Sequence, residues 1–406
     1  MAMTSAASPP SSAALVRSEC PCCGGRASEV FHEVANVPTN SCILLETRTE
    51  AIAYPRGDIR LAFCGDCGFV FNAAFDPRLT EYSGRYEETQ GFSPTFSAFH
   101  ERLAASLVDR HGLHGKELIE IGCGKGEFLK LLCDLGDNRG LGFDPGYSET
   151  RGEALGASRF RVVRDFFSEQ HTSHKADFVA CKMTLEHIPQ PQPFIQAATE
   201  TVRRPAGVVF IQVPESLRIL RTCAIEDIYY EHCSYFTAGS LGRLLEASGF
   251  AVARVDVEYG DQYLTVEAMP RPAGFAGGTG APRDLEEMAT LVHSFPERSR
   301  RKISLWSDRM DGWRRSGKRV AIWGSGSKGV SFLTSVPGAS EGTAFAIDIN
   351  PYRQGFFMAG TGQQIVSPQA LTELRPDVVV VMNEVYVPEI SRTLDSLGVA
   401  PEIAAL

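Results

Sequence analysis

The sequence predicts an α/β protein in which a small four-cysteine module precedes two units built on parallel sheets. Two pairs of closely spaced cysteines lie near the N-terminus. After them, short apolar runs alternate with amphipathic helical stretches, and the same alternation returns behind a segment dense in glycine and proline. We divide the chain into a disordered tail (1–16), a cysteine module (17–95), a core (96–268), a linker with a helical connector (269–315) and a C-terminal unit (316–406).

Composition narrows the class of protein. The 406 residues suffice for two or three domains, and a net charge of −9 argues against general binding to nucleic acid. We see no apolar run near the roughly 18–20 residues that cross a bilayer, so we expect no membrane partner. The tail lacks the basic and apolar regions of an export signal. Eleven cysteines in such a chain indicate reduced thiols, metal ligation and a cytoplasmic location.

The cysteine pairs are two C-x2-C-Gly knuckles, Cys20 with Cys23 and Cys64 with Cys67. Four thiolates form a tetrahedral cage that suits Zn²⁺, and the glycine after each pair lets the backbone turn tightly. A closed cage has no open position for substrate, so we predict a structural zinc site. The alternative is four unlinked buried thiols, and Cys22 is a spare cysteine.

A strand, a glycine-rich turn and a helix start are predicted over 118–128. The turn contains Gly122, Gly124 and Gly126, which allow a ligand to approach the backbone. Glu120, just before the first glycine, can accept a hydrogen bond from the amino group of a methionine moiety. Glycine-rich turns also occur in NAD enzymes, but here the third glycine arrives too early for G-x-G-x-x-G.

Five further residues are predicted around the same ligand. Asp144 ends the next strand, where an acid can bind both ribose hydroxyls. Asp165 and Phe166 follow another strand-like run and can hold an adenine ring. Met183 opens a segment that lines the pocket, and Tyr86 belongs to the segment 82–90, which is either a lid over the cofactor or a plain linker.

In order and spacing, these motifs resemble the class I methyltransferases, whose Rossmann-like core binds S-adenosylmethionine (SAM). The resemblance covers the turn, the ribose acid Asp144, the pair Asp165-Phe166 and the Leu-Glu-His-Ile-Pro segment at 185–189. It implies that SAM is the methyl donor.

The stretch 228–236 concentrates titratable and aromatic side chains after a core strand. His232 can act as a base, Glu231 can orient it, and Tyr229 can stabilise an enolate; Tyr229 and His232 can also exchange these roles. The alternative is a packed aromatic hairpin with a structural histidine.

The whole chain resembles a narrower family, the three-domain sugar C-methyltransferases, whose Tyr-x-Glu-His pattern matches Tyr229, Glu231 and His232. The resemblance implies methylation of carbon next to a ketone on a nucleotide-linked keto-deoxysugar. The segment 259–265 departs from the family's His-Gly-Gly-Ser pattern, which leaves the acceptor open. The alternatives are C-, O- or N-methylation of another natural-product or polysaccharide intermediate, or a zinc-stabilised protein that binds a nucleotide sugar or SAM without turnover.

The C-terminal unit opens with a second fingerprint, G-x-G-x-x-G. Read without context it indicates a dinucleotide cofactor, whereas the resemblance implies binding of the small-molecule acceptor, and a purely structural role is a third possibility. The predicted substrate-binding residues are Gly324, Gly326, Lys328, Gly329, Asp348, Asn350 and Asn383. The sequence leaves the oligomeric state open.

Overall fold

A computed structural model describes residues 19–150, 159–272 and 284–406. The strands are β1 (Ser28–Pro38), β2 (Arg56–Cys64), β3 (Val70–Asn72), β4 (Glu117–Ile121), β5 (Arg139–Phe143), β6 (Phe160–Val163), β7 (Phe178–Lys182), β8 (Val208–Pro214), β9 (Ser234–Tyr235), β10 (Phe250–Glu258), β11 (Tyr263–Pro270), β12 (Val320–Trp323), β13 (Thr343–Ile347), β14 (Ile365–Val366), β15 (Val378–Val381) and β16 (Glu402–Ala405). The α-helices span Arg48–Ile52, Pro94–His111, Glu127–Gly136, Pro191–Glu200, Ser216–Thr222, Ala238–Ala247, Leu285–Arg315, Ser327–Ser335, Ala339–Gly342, Leu371–Leu374 and Val387–Leu397. The predicted tail (1–16) and most of the predicted linker (273–283) lie outside the described residues.

The cysteine module is built on an antiparallel sheet of order β1-β2-β3-β9. Its fourth strand, β9, comes from the core: Val70 pairs with Tyr235, and Phe71 pairs with Ser234. The aromatic stretch that ends in β9 is therefore held on the module, and the module cannot be separated from the candidate site.

The core is a seven-stranded sheet of order β10-β11-β8-β7-β4-β5-β6. The strands from β8 to β6 are parallel, as the alternating pattern predicts, while β11 is antiparallel to both of its neighbours, β8 and β10. The central strands are apolar on both faces because helices cover both sides of a parallel sheet. Polar side chains on them, such as Glu120 on β4, therefore mark the edge where the strands end.

The C-terminal unit is a parallel sheet of order β14-β13-β12-β15-β16. The long helix Leu285–Arg315 joins it to the rest of the chain, with Phe295 in the core beside the first sheet and Trp306 in the core beside the last. This helix therefore packs at its two ends against different cores. Among the described residues, no helix combines the length and apolarity that crossing a bilayer requires.

A cleft of about 370 Å³ lies where the carboxyl ends of the core strands face those of the C-terminal sheet. Its lining includes Glu120 at the end of β4, Lys182 at the end of β7, Trp323 at the end of β12 and Met382 just after β15. Ligands of open α/β sheets bind beyond these strand ends. The cleft is therefore the candidate site.

Candidate active site

Three glycines shape the turn after β4. Gly122, Gly124 and Gly126 have φ angles of +71°, +53° and +84°. A Cβ atom at Gly122 would overlap with Thr184, and one at Gly124 would lie 2.6 Å from Glu88 Oε1. The turn thus keeps bare backbone against the cleft, as binding of a cofactor there requires.

Asp144 directly follows β5, and its carboxylate stabilises this turn through a hydrogen bond. Its Oδ2 accepts a hydrogen bond from the Gly124 amide at 2.9 Å, and its Oδ1 accepts one from the Gly146 amide at 2.8 Å. Burial raises the pKa of Asp144. The carboxylate lies beside the glycine turn, as the sequence predicts, and its lone pairs are not exhausted by two amides.

Asp165 and Phe166 follow β6 and lie beside Tyr82 of the segment 82–90. The Phe166 side chain is 59% exposed and meets the Tyr82 ring edge-on, with ring centroids 6.2 Å apart. Asp165 accepts hydrogen bonds from the Phe166 amide and from Gln170. An exposed aromatic ring next to a carboxylate is free to stack against a flat ligand.

The segment 82–90 joins the cofactor turn to the C-terminal unit. The Tyr82 hydroxyl lies 2.9 Å from His187 Nδ1, and Lys125 Nζ donates to the Tyr86 carbonyl at 3.0 Å. From the other side, Arg353 Nε donates to the Glu87 carbonyl at 2.9 Å. Tyr86 lines the cleft. Hydrogen bonds from both walls of the cleft therefore hold the segment 82–90 in place.

Tyr229 and His232 form a hydrogen-bonded pair in the cleft, in which His232 is buried and Tyr229 is half-buried. The Tyr229 hydroxyl lies 2.8 Å from His232 Nε2, and the two ring centroids are 4.0 Å apart. Burial, together with the nearby His187 and Lys328, holds the pKa of His232 well below its usual range. The imidazole is thus neutral and can accept a proton at neutral pH.

Glu231 does not orient His232, contrary to the expectation from sequence. Its carboxylate accepts hydrogen bonds from Asn40 Nδ2 at 3.0 Å, from the Ser41 amide at 3.2 Å and from the Ser41 hydroxyl. Successive residues on a tight turn point to different sides, and Glu231 points into the cysteine module. The carboxylate nearest to His232 is that of Glu186, whose Oε1 lies 3.9 Å from Nε2.

Glu186 and His187 complete the titratable group around His232. Burial raises the pKa of Glu186 to about 8, and the carboxyl has no hydrogen-bond partner for either oxygen within the described chain. The His187 and His232 rings meet edge-on, with centroids 4.8 Å apart. One ligand atom from each of the three side chains lies within 4.8 Å of the others. This group can transfer protons, and its spacing also permits an ion.

On the opposite wall, the second glycine fingerprint follows β12. Gly324 has a φ of +112°, and a Cβ atom at Gly329 would overlap with the Gly324 carbonyl. Gly326 and Lys328 also line the cleft. Lys328 Nζ forms an ion pair with Asp227, which Arg218 also contacts. Two cations therefore share one carboxylate.

Three residues predicted to bind substrate already contact protein groups. Asp348 accepts a hydrogen bond from the Ser325 amide at 3.0 Å. Asn350 Nδ2 donates to the Glu87 carboxylate at 3.0 Å. Asn383 exchanges two hydrogen bonds with Gln262, at 3.0 and 2.9 Å. All three line the cleft, but Asn350 and Asn383 also join the two walls.

Several residues that contact groups of the site have no signal in the local sequence. Asn40, Ser41 and Arg353 are far along the chain from the groups they contact, and no motif contains them. Glu88 lies against the glycine turn, and burial raises its pKa to about 7. The one sequence feature that pointed to Glu88 was the predicted lid, the segment 82–90 that contains it.

The four cysteines of the two knuckles come together. The sulfurs of Cys20 and Cys67 are 3.7 Å apart, as are those of Cys23 and Cys64, and all four lie within 4.8 Å of one another. A tetrahedral site with metal–sulfur bonds of about 2.3 Å has sulfur–sulfur edges of about 3.8 Å. The cluster therefore has the geometry to hold a metal ion.

Comparison with known proteins agrees with this architecture. Residues 96–255 match a family described as a methyltransferase domain, and residues 283–398 match one described as a C-methyltransferase C-terminal domain. The chain is 27% identical over 306 residues to C-methyltransferase NovU of Streptomyces niveus, covering 71% of each protein. It is 31% identical over 135 residues to ubiquinone biosynthesis O-methyltransferase of Citrobacter koseri, covering 32% of this chain and 55% of that relative.

Among solved structures, magnesium protoporphyrin IX methyltransferase (ChlM) from Synechocystis PCC 6803 with bound SAH is 17% identical, with a TM-score of 0.36 over 43% of this chain and 84% of that one.

The glycine turn on a seven-stranded sheet, together with the methyltransferase-domain match, defines the chain as a class I SAM-dependent methyltransferase. Its second domain narrows the class further. Because residues 283–398 match the C-methyltransferase C-terminal domain and NovU aligns over most of both chains, it is a SAM-dependent C-methyltransferase.

Proposed function

We propose that this enzyme methylates the carbon next to a ketone, on a nucleotide-linked keto-deoxysugar held between the core and the C-terminal domain. The observation that carries the proposal is the hydrogen-bonded pair of Tyr229 and the neutral His232, which lies in the cleft between the cofactor turn and the second glycine fingerprint. In this arrangement the core wall of the cleft binds the donor SAM, and the C-terminal wall binds the acceptor.

SAM supplies an electrophilic methyl group, so the acceptor carbon must first become electron-rich. A C–H bond beside a ketone has no lone pair, and a base must remove its proton. His232 Nε2 takes that proton, the electron pair passes to the ketone oxygen, and the enolate carbon then forms a bond to the methyl group as the sulfur–methyl bond breaks. The proton on His232 returns to solvent.

Tyr229 has the complementary role. Its hydroxyl is within hydrogen-bond distance of His232, and burial raises its pKa well above 10. A phenol that keeps its proton can donate to the ketone oxygen as negative charge develops there. The reverse assignment, with Tyr229 as the base, would require a phenolate that burial disfavours.

The acceptor's nucleotide end fits the C-terminal wall. Lys328 and Arg218 flank Asp227 in the cleft, so two positive charges meet one negative charge. The excess positive charge favours a phosphate group, which can accept charge-assisted hydrogen bonds from both cations. On the donor side, Asp144 binds the ribose hydroxyls, and Asp165 with Phe166 holds the adenine.

The cysteine cluster, in this proposal, holds a structural zinc ion on Cys20, Cys23, Cys64 and Cys67. The four-sulfur set leaves no open position on the metal, so zinc takes no part in methyl transfer. Its contribution is to fix the sheet that carries β9, the strand that follows His232 in the chain.

The test uses a nucleotide-linked keto-deoxysugar in deuterated solvent. Without SAM, the wild-type enzyme should exchange the proton next to the ketone, and with SAM it should add one methyl group to that carbon, as read by NMR and mass spectrometry. The corresponding free sugar, lacking the nucleotide, is the control and should react poorly. Turnover of alcohol or amine acceptors only, with no exchange at carbon, would reject the proposal.

A further inference from the structure

A group of polar side chains lies among aromatic rings on the helix-covered face of the core sheet. Glu120 is the residue before the last in β4, Lys182 ends β7, and His100 lies on the helix Pro94–His111. All three line the cleft, next to Phe96 and Phe128. We call Glu120, Lys182 and His100 the polar trio. The proposed chemistry of methyl transfer uses none of the three.

Glu120 and His100 of the polar trio are buried, Lys182 is half-buried, and the hydrogen bonding of the trio is incomplete. Glu120 is 2% exposed and His100 is 7% exposed, yet Glu120 Oε2 and His100 Nε2 have no partner within the described chain. Lys182 Nζ lies 5.5 Å from the centre of the Phe128 ring and makes no hydrogen bond to the described residues. A buried polar atom without a partner costs about 1–3 kcal/mol, so such a cluster indicates a missing ligand.

The two oppositely charged side chains of the trio, Glu120 and Lys182, are neighbours but form no ion pair. In the sheet, Glu120 pairs with Ala180 and Ile121 pairs with Cys181, so Glu120 and Lys182 lie near the ends of adjacent strands. Burial raises the pKa of Glu120 to about 8 and lowers the pKa of Lys182, while each charge opposes the shift of the other. A bound partner of opposite charge would favour the ionised form of each. Even so, none of the ion pairs between described residues joins them. A ligand that carries both a positive and a negative charge can fit between Glu120 and Lys182.

The methionine end of SAM carries an ammonium and a carboxylate on one carbon. We propose that Lys182 binds the carboxylate of SAM while Glu120 binds its ammonium, which makes Lys182 a donor-positioning residue of this methyltransferase. Lys182 and Glu120 then each pair with the opposite charge of the same zwitterion, the methionine end of SAM. His100 Nε2 lies on the same wall and completes the set of unpaired groups around the carboxylate.

Other roles for Lys182 predict different behaviour. If it only neutralised nearby carboxylates, its loss would affect folding and all ligands alike. If it bound the acceptor, donor affinity would not change. Because the proposed role concerns the donor alone, it is measured with the product S-adenosylhomocysteine (SAH) and needs no acceptor. Failure here would leave the C-methylation proposal untouched, and the reverse also holds.

The experiment is a ligand–variant cycle in calorimetry on the full chain. Wild type and Lys182→Met are titrated with SAH and with its decarboxylated analogue. A charge-assisted bond corresponds to a factor of about 10–100 in affinity, so Lys182→Met should weaken SAH binding by that factor. The analogue should bind both proteins within about threefold, and the preference of wild type for SAH should disappear in the variant.

Two further variants guard the interpretation. Lys182→Arg keeps the charge and should recover most of the SAH affinity. Lys130→Met removes a surface lysine that pairs with Asp134 and should change nothing. Equal weakening of both ligands by Lys182→Met, or no weakening of either, would overturn the proposal. If Lys182→Met fails to fold, a wild type with equal affinity for SAH and its decarboxylated analogue would overturn it as well.

Discussion

Replacing His232 with Gln should separate chemistry from binding. The Gln amide can reach the position of Nε2 and keep a hydrogen bond to the Tyr229 hydroxyl, which now lies 2.8 Å from that nitrogen. An amide cannot accept the proton, however, and His232 is only 5% exposed, so bulk water has little access to replace it. General-base catalysis contributes about 10²–10⁴-fold, and we expect kcat to fall by that factor. SAM affinity should stay within about threefold.

The pH dependence of kcat gives the same prediction a second test. The pKa of His232 is lowered from 6.5, so the reactive neutral ring is already fully present at pH 6.5 and above. The neighbouring Glu186, whose pKa burial raises to about 8, titrates within this range, so the test uses a Glu186→Gln background. There the rate should be flat from pH 6.5 towards pH 10 and decline only below 6.5. If Tyr229 were the base, the reactive form would be a phenolate whose pKa lies above 10.0. The rate would then climb about tenfold per pH unit across this range.

Exchange of the acceptor proton with deuterated solvent isolates the step. Wild type should exchange, His232→Gln should not, and Tyr229→Phe should exchange slowly because only the oxyanion donor is lost. A His232→Gln enzyme that exchanges and methylates at the wild-type rate would refute the assignment. Chelation is a separate control. If Glu186, His187 and His232 held an essential ion, a chelator that leaves the cysteine cluster loaded would abolish exchange in wild type.

Three further predictions concern the donor site, the metal and the lid. Asp144→Ala should weaken SAM binding by about 10–100-fold, because a carboxylate on ribose hydroxyls makes charge-assisted bonds, and unchanged affinity in calorimetry would remove Asp144 from the ribose. Cys64→Ser should lower both Tm and the zinc content from about one ion per chain, and folded wild type without zinc would contradict the assignment. Asn350→Ala removes the hydrogen bond to Glu87, so proteolysis within 82–90 should become faster and SAH should slow it, whereas cleavage indifferent to SAH would identify a plain linker.

Local chemistry let the sequence predict much of the donor side. Positive φ angles at Gly122, Gly124 and Gly126 are accessible to glycine at no steric cost, so the turn is recognisable from residue types alone. The C-x2-C spacing likewise brings two sulfurs together within each knuckle. The alternation of short apolar runs and helical stretches predicted two units built on parallel sheets, and the structure contains parallel strands in both the core and the C-terminal unit.

From the residues alone we predicted the order of the units, the glycine turns and the side chains that we propose to react. Only the tertiary structure decided their partners. Glu231 adjoins His232 in sequence yet contacts Asn40 and Ser41, about 190 residues away. Lys182 faces Glu120 because two strands pair in register, and Asn383 meets Gln262 across a domain boundary. Spacing along the chain fixes local dihedral angles and faces, whereas contacts between distant residues depend on how whole sheets and helices pack.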